Sequence, residues 1–514
     1  MQLSMQRPLR AGLDPALLPA GRGGADPVLW RLDKDEHGSS AVKMRKNLYA
    51  LMRPEQALLR AAVVDLTPPR WGRKAPPKGA QATGVLASKP RNLSLNPGQR
   101  AAVDRALAAE DYLCILGMPG TGKTSTIAQL ARELVGRGER VLLCAYTNSA
   151  VDNLLIKLGE EGVPYLRLGN PGSVHEAVAG HLLGGPRYPA GTVASLAEAV
   201  RTAPVVACTC LGARDARLNS ARFDVCIVDE ASQVTLPVVL GPLLKAPRFV
   251  LVGDHYQLPP LVASQAAAEG GLGESLFRRL SAAHPQAVVE LGTQYRMCED
   301  IMKIANELVY CGRLRCGTPA VAEGRLLLPR PAALACAPPW AAALADPARR
   351  VAVGDTGPAG PPALEAREGT SWVNRYEAEA AVEVLTALSH AGVPCGELAV
   401  ISPYKAQVAL LRRLVDARGA ALLGAQVLTV DQSQGRDWGA VVVSLVRANP
   451  EGRAGGLLVD WRRINVAVTR SRHKLVLLGS LGTVASVPLF RSVVDIARRE
   501  GWIVPAPAEG KGVP

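Results

Sequence analysis

The chain is 514 residues long, which is too long for one hydrophobic core and excludes a single small binding module. Hydrophobic residues make up 48% and charged residues 20% of the sequence, and the lack of any apolar run of about 18 residues argues against membrane insertion and secretion. Lys and Arg outnumber Asp and Glu by 59 to 45, and the net charge of +14 suits a phosphate-bearing polymer, although a solvated basic surface explains it equally well.

The first 92 residues are a basic segment punctuated by Pro and Gly. Residues 1–94 hold 16 Lys and Arg against 7 Asp and Glu, so most of the positive excess lies in this part of the sequence. Residue patterns predict one helix over 45–52 and one aliphatic, strand-like run over 61–66. We interpret 1–92 as a lead-in to the regular domains.

The strongest local signal follows in a region, 93–316, where apolar strands alternate with helical patterns. A strand-like run from Tyr112 meets the string GMPGTGKT, residues 117–124, and apolar residues then recur at helical spacing. This is the phosphate-loop pattern in its strand–loop–helix context, in which backbone N–H groups and the helix N-terminus cradle a phosphate. Lys123 would meet the β- and γ-phosphates, and Thr124 would bind Mg²⁺.

Two further strands of this region end in polar residues. The buried run 223–228 is followed by Asp229 and Glu230, and FVLVGD is followed by a loop that contains Gln257. Ligands bind at the carboxyl ends of strands in open parallel sheets, so Asp229 is predicted to hold Mg²⁺ and Glu230 to polarise the attacking water. Gln257 is predicted to sense the γ-phosphate.

A Pro-, Gly- and Ala-rich stretch over 317–369 predicts an irregular insertion. The alternation of strands and helices returns over 370–490 and ends in a tail over 491–514. The sequence therefore predicts an α/β protein with two parallel-sheet domains joined through a loose segment.

The ordered motifs, more than any one of them, resemble superfamily 1 helicases of the 5′-to-3′ branch. They are LNPGQ (95–99), GMPGTGKT, AYTNSAVDNLL (145–155), VDEASQ (228–233), GDHYQLPP (253–260), TQYRM (293–297), VDQSQGRDW (430–438) and NVAVTRSR (465–472). In finer detail the strings are similar to the helicase region of the DNA replication ATP-dependent helicase/nuclease family. The resemblance implies two RecA-like P-loop NTPase domains with ATP in the cleft between them, and a partial barrel or stalk within 1–92.

The same resemblance implies which residues bind ATP and Mg²⁺. They are Gln99 at the adenine, Gly117, Gly120, Thr121, Gly122, Lys123 and Thr124 at the phosphates and Mg²⁺, Asp229 at Mg²⁺, Gly435 near the γ-phosphate and Asp437 near the ribose. The implied catalytic residues are Lys123, Asp229, Glu230, Gln257, Arg296 and Arg470. Arg296 and Arg470 would be arginine fingers, since the transferring phosphoryl group needs cations around it.

Contacts to nucleic acid are expected from small polar groups that face a groove across both domains. The predicted residues are Thr147, Asn148, Ser149, Thr209 and Thr429. Hydroxyls can bind a sugar–phosphate track without reading bases, but for each residue helix capping is an equally good explanation. The resemblance implies single-stranded, flap or forked DNA as substrate, replication protein A as a partner, no membrane association, and a nuclear location.

One departure from the family separates this sequence from the full helicase/nuclease. The family's nuclease domain binds an iron–sulfur cluster through four cysteines, whereas no cysteine precedes Cys114 here. We therefore expect a 5′-to-3′ DNA helicase acting in replication and repair, including Okazaki-fragment processing and end resection, without nuclease activity or an iron–sulfur cluster. An RNA helicase of the nonsense-mediated-decay branch and a catalytically silent DNA-binding fragment are the alternatives.

Overall fold

A computed structural model describes residues 36–72, 95–189 and 191–507 of the chain. The chain divides into two units, 1–42 and 43–514. Of the first unit only the start of helix α1 (Glu36–Leu51) is described. The predicted site residues all belong to the second unit.

The first half of the second unit is built on a seven-stranded sheet in which every pairing is parallel. Its order is β3-β6-β2-β7-β8-β1-β9, and two short parallel pairs, β4 with β5 and β10 with β11, lie outside it. The strands are β1 (Tyr112–Gly117), β2 (Val141–Ala145), β3 (Leu166–Arg167), β4 (Leu183–Gly184), β5 (Tyr188–Pro189), β6 (Val205–Thr209), β7 (Val225–Asp229), β8 (Arg248–Gly253), β9 (Val288–Leu291), β10 (Thr293–Gln294) and β11 (Arg315–Cys316).

Helices cover both faces of this sheet, which explains why its central strands are continuous apolar runs. Every residue of β1, β2, β7 and β8 is buried. The remaining helices of this half are α2 (Ala57–Val63), α3 (Pro97–Ala108), α4 (Lys123–Gly136), α5 (Asn148–Glu160), α6 (Glu176–Ala179), α7 (Val193–Thr202), α8 (Leu236–Leu243), α9 (Gln265–Ala267), α10 (Leu276–Ala283), α11 (Glu299–Ala305) and α12 (Pro319–Ala322).

A second parallel sheet, of six strands, forms the other half in the order β16-β15-β17-β18-β12-β19, and β13 pairs with β14 in an antiparallel hairpin. The strands are β12 (Val351–Asp355), β13 (Ala366–Glu368), β14 (Ser371–Val373), β15 (Leu398–Ser402), β16 (Gln426–Thr429), β17 (Trp438–Ser444), β18 (Ser471–Gly479) and β19 (Ile503–Pro505). The helices are α13 (Pro339–Ala345), α14 (Arg375–His390), α15 (Lys405–Ala417), α16 (Val430–Ser433), α17 (Gly456–Val459), α18 (Trp461–Val468), α19 (Leu481–Val484) and α20 (Pro488–Arg499).

The two parallel sheets confirm the predicted α/β class with two RecA-like domains. The extent of the second sheet differs from the prediction, however. Strand β12 lies inside the stretch 317–369 that we expected to be irregular, and it pairs with β18 and β19. The predicted tail, 491–514, contributes most of α20 and all of β19. Strands β12 and β19 are both short, so the composition of these two stretches did not indicate them. Residues 508–514 lie outside the described residues.

The lead-in also differs where it is described. The aliphatic run over 61–66 was predicted to be strand-like, but Ala57–Val63 is helical. Val63 is fully buried in the core below the first sheet, so helix packing overrides the β-branched pattern. Residues 36–72 hold no strand of a barrel, and 1–35 and 73–92 lie outside the described residues. Along the described chain, no helix is both long and apolar enough to cross a membrane.

Candidate functional site

The phosphate loop connects the buried end of β1 to the start of α4. Gly120 and Gly122 have φ of +72° and +76°, the left-handed region that glycine adopts without strain. A side chain at Gly117 would collide with the Lys123 side chain, and the Lys123 amine donates to the Gly117 carbonyl at 2.9 Å. The loop therefore keeps its backbone and the lysine amine together at the N-terminus of a 14-residue helix.

Two carboxylates stand at the end of the neighbouring strand β7. Asp229 is 6% exposed, and its Oδ1 atom has no hydrogen-bond partner among the residues that the structure describes. Burial and the adjacent Glu230 raise the pKa of Asp229 to about 7. Glu230 itself has φ 51° and ψ 35°, a left-handed conformation that is uncommon for a non-glycine residue and is typical of functional sites. An unpartnered buried carboxylate oxygen suits a cation ligand.

Gln257 follows β8 and is 4% exposed. Its Nε2 donates to Oδ2 of Asp254 at 2.9 Å. Burial raises the pKa of Asp254, while Lys123 and the hydrogen bonds that the carboxylate accepts oppose that rise. The amide of Gln257 is thus held by a buried carboxyl group at the edge where β1, β7 and β8 end.

Two arginines reach the same place, one from each half of the second unit. Arg296 follows β10, and its guanidinium Nε pairs with Asp437 of the second sheet at 2.9 Å. Arg470, at the end of α18, is 2% exposed and donates to the Val466 carbonyl at 2.8 Å. In the described part of the chain no ion pair joins Arg470 to a carboxylate. Burial, with the nearby Arg296, lowers the pKa of Arg470 to about 9, while the charges of Glu230 and Asp437 oppose that shift.

One cavity of about 370 Å³ brings these groups together, and we call it the cleft. The residues that line it are Met118, Pro119, Gly120, Thr121, Gly122, Lys123, Thr124, Asp229, Glu230, Gln257, Tyr295, Arg296, Gly435, Asp437, Arg470 and Arg472. With Gly117 beneath the loop, the predicted phosphate, metal and arginine positions converge there.

Gln99, like Gly117, is a predicted ATP-binding residue that does not line the cleft. It is 6% exposed. Its Nε2 donates to the Thr121 carbonyl at 3.0 Å, and its Oε1 accepts from the backbone N–H of Asn96. The side chain therefore braces the phosphate loop from behind, as part of the capping box of α3.

Comparison with known proteins follows the same division of the chain. A family model described as "AAA domain" matches residues 94–185 and 190–265, and a second with the same description matches 272–482. The DNA replication ATP-dependent helicase/nuclease of Arabidopsis thaliana is 42% identical over 93% of this chain and 35% of its own length. Those of Saccharomyces cerevisiae and Homo sapiens are 38% and 37% identical over 93% and 94% of this chain.

The chain is thus similar to these helicase/nucleases over nearly all of its own length. It spans between a third and about half the length of these relatives, 35%, 33% and 46% respectively. Among solved structures, an arterivirus nonstructural protein 10 helicase superposes with a TM-score of 0.39 and 14% identity over 76% of this chain and 63% of its own. A similarity of that size carries no further inference.

The polar residues predicted to touch nucleic acid lie away from the cleft lining. Thr147 follows β2, and Thr209 and Thr429 are the last residues of β6 and β16; we call the three the strand-end hydroxyls. Each Oγ1 accepts the backbone N–H of a residue three positions later, at 3.2, 3.2 and 3.3 Å, and so caps a helical segment. Ser149 lies 3.2 Å from Thr147 between hydroxyl oxygens, and Oδ1 of Asn148 accepts from buried Arg167.

Four residues of interest escaped the sequence analysis. Tyr295 and Arg472 line the cleft, and Arg472 pairs with Asp437 at 2.8 Å. Tyr310 and Asn465 hydrogen-bond to one another behind it. For three of them the signal was adjacency to a motif: Tyr295 precedes Arg296, Asn465 opens NVAVTRSR, and Arg472 closes it. Tyr310 had no such signal.

Proposed function

We propose that the chain is an ATP-dependent single-stranded DNA translocase and helicase that moves 5′ to 3′. The observation that carries the proposal is the buried Arg470, which immediately precedes β18 of the second sheet, forms no ion pair among the described residues and shares one cleft with the phosphate loop of the first sheet. Such a cation suits the charge on a transferring phosphoryl group, and its position makes hydrolysis depend on how the two sheets are arranged. Similarity to the DNA replication ATP-dependent helicase/nucleases supports the same conclusion.

The phosphates of ATP would lie against the loop 117–124. Backbone N–H groups, Thr121 and the amine of Lys123 would bind the β- and γ-phosphates, with Gly435 close to the γ-phosphate. Thr124 and Asp229 would hold Mg²⁺, which neutralises phosphate charge when bound. The fit is supported by the unpartnered Oδ1 of Asp229. Asp437 would approach the ribose, and Gln99 would contact the adenine.

Hydrolysis then requires a proton acceptor and cations. Glu230 would take the proton of the attacking water, and the side-chain oxygen of Gln257 would orient that water near the γ-phosphate. Arg296 and Arg470 would neutralise the charge that spreads over the γ-phosphoryl oxygens. Because Arg296 is paired with Asp437 across the cleft, opening the cleft would break this contact and withdraw Arg470 together.

A single DNA strand would cross the ends of both sheets at the strand-end hydroxyls, with Asn148 and Ser149 beside Thr147. These groups offer contacts to phosphate and sugar that do not depend on base sequence, as a translocating motor needs. By analogy with the family, we propose flap or forked DNA as substrate, replication protein A as a partner, and a nuclear role in DNA replication and repair, such as Okazaki-fragment processing and end resection.

The test is ATP hydrolysis by the purified chain with and without oligo(dT). We expect DNA-stimulated turnover that Lys123→Ala abolishes, whereas Lys157→Ala, on the outer end of α5, leaves it intact. Duplexes with a 5′ or a 3′ single-stranded tail report direction, and the 5′-tailed duplex should be unwound. Equal stimulation by oligo(U) would favour an RNA substrate, and DNA binding without any turnover would mean a catalytically silent fragment.

A further inference from the structure

A line of buried hydrogen bonds runs behind the cleft from the second sheet to Gln257. Asn465 of α18 donates through Nδ2 to the Tyr310 hydroxyl at 2.9 Å. That hydroxyl donates to Oδ2 of Asp254 at 2.7 Å, and the same oxygen accepts from Nε2 of Gln257 at 2.9 Å. Asn465 also donates to the Tyr256 carbonyl at 2.9 Å. The line therefore joins an element of each sheet through direct contacts.

All four side chains are removed from solvent. Tyr310 is 0%, Asp254 1%, Asn465 2% and Gln257 4% exposed. A buried polar group that loses its hydrogen-bond partner is destabilised by its full desolvation free energy. Each hydrogen bond in the line therefore strongly restricts the orientation of the next side chain. The network consequently has one favoured arrangement.

The chemistry of the donors and acceptors fixes which end of the Gln257 amide is free. An ionised carboxylate only accepts hydrogen bonds, so Asp254 selects the NH₂ end of Gln257. The carbonyl oxygen of Gln257 is then left for a donor on the cleft side, where Gln257 is part of the lining. The Tyr310 hydroxyl supports this arrangement because it supplies a further donor to the same carboxylate oxygen.

The second end of the line connects to Arg470. Asn465 lies within α18, and Arg470 lies five positions later, just after the helix ends. Oγ1 of Thr469 donates to the Asn465 carbonyl at 2.7 Å, and Arg470 donates to that same Oγ1 at 3.0 Å. A displacement of α18 that withdraws Arg470 therefore also removes Asn465 from Tyr310.

We infer that Tyr310 and Asn465 are positioning residues that hold Gln257 in its working orientation only while the second sheet presents Arg470 to the cleft. This rests on the proposed ATP hydrolysis and deepens it, since it names the contact through which one sheet senses the other. Neither residue touches the reacting atoms. Both act through Asp254 on Gln257.

Tyr310→Phe tests the inference because it deletes one hydroxyl and keeps the buried ring. At saturating ATP and oligo(dT) we expect kcat to fall about tenfold, the effect of losing one hydrogen bond to a charged group, while KM for ATP stays within about twofold. Tyr188→Phe is the matched control, since it removes a half-buried hydroxyl that donates to the Tyr165 carbonyl far from the cleft, and its kcat should not change. Asn465→Ala breaks the line at its other end and should lower kcat in the same way.

A double-mutant cycle with Gln257→Ala separates positioning from general damage to the fold. Once Gln257 is removed, Tyr310→Phe should lower kcat no further. A tenfold effect that persists in the Gln257→Ala background, or wild-type kcat for Tyr310→Phe, would overturn the inference. Both outcomes are distinct from failure of the proposed function, in which the wild-type chain itself shows no ATPase that Lys123→Ala removes.

Discussion

Two charged side chains of the cleft, Asp229 and Arg470, are buried without an ion pair among the described residues, whereas the strand-end hydroxyls are more accessible and already bonded. Oδ1 of Asp229 also has no hydrogen-bond partner there, although each residue is at most 6% exposed. Thr147, Thr209 and Thr429 each cap a helical segment through the same oxygen that we expect DNA to approach. Unsatisfied groups identify a site for a charged ligand, but satisfied caps are equally consistent with a purely structural role.

Substitution of Arg470 in the cleft should have the largest effect. We expect Arg470→Ala to lower DNA-stimulated turnover by about a thousandfold, the loss measured for an arginine that neutralises a transferring phosphoryl group. ATP affinity should change little, because the contact forms mainly in the transition state. Turnover at saturating ATP and titration with a fluorescent ATP analogue measure the two effects.

Lys474→Met is the matched control, since Lys474 is an equally buried basic side chain that does not line the cleft. Its amine donates to the carbonyls of Asp346 and Arg349 at 2.9 and 2.5 Å. If both substitutions reduced turnover alike, the loss of a buried basic side chain and not its place in the cleft would be the cause, and the role assigned to Arg470 would fail.

Salt should weaken DNA binding much more than ATP binding. This difference should be large, although smaller than the effect of Arg470→Ala. A DNA strand that binds a basic protein surface releases counterions. The logarithm of the affinity for oligo(dT) should therefore fall steeply with the logarithm of the salt concentration, by about tenfold or more in affinity between low and moderate salt. Charges buried in the cleft are screened much less, so affinity for ATP should change far less. Fluorescence anisotropy with labelled oligo(dT) measures the slope, and a flat response would mean that the +14 net charge is only a solvated surface.

How much of this could be predicted depends on whether the signal is local in sequence. The phosphate loop and the pair Asp229–Glu230 are contiguous, and their chemistry follows from their order along one strand, loop or helix. The role inferred for Tyr310 depends on hydrogen bonds to residues 56 and 155 positions away. The sequence immediately around Tyr310 therefore could not indicate that role. Strand β12 was concealed for a related reason, because its five residues become a strand only by pairing with β18 and β19.

Gln99 shows a different case, in which the motif is present in the sequence but its side chain lies outside the cleft lining. The Gln motif is present, yet the side chain braces Thr121 and caps α3 instead of lining the cleft. The adenine contact therefore stays a prediction.

Lys474 should also make the free energy of unfolding depend on pH. Burial lowers its pKa from 10.5 to about 7, so between these values the unfolded chain binds a proton that the folded chain does not. The free energy of unfolding should therefore decrease as pH falls from about 10 to about 7, by up to about 1.4 kcal/mol per pH unit. Denaturant unfolding should show this slope in the wild-type chain and a weaker one in Lys474→Met. Equal slopes would mean that the amine is charged in the folded state.

The smallest effect decides whether a cap can also be a DNA contact. Thr429→Ala removes the N-cap of α16 and should cost about 1 kcal/mol of unfolding free energy, and Thr192→Ala, which removes the N-cap of α7, should cost about the same. Only Thr429→Ala should also weaken oligo(dT) binding, by a few fold, because its hydroxyl lies at the end of β16 on the proposed track. Thr429→Ser keeps the hydroxyl and should restore both properties. If the Thr429 and Thr192 variants bind oligo(dT) equally well, Thr429 is a cap alone, and the DNA track must be sought among residues whose polar groups are not already bonded.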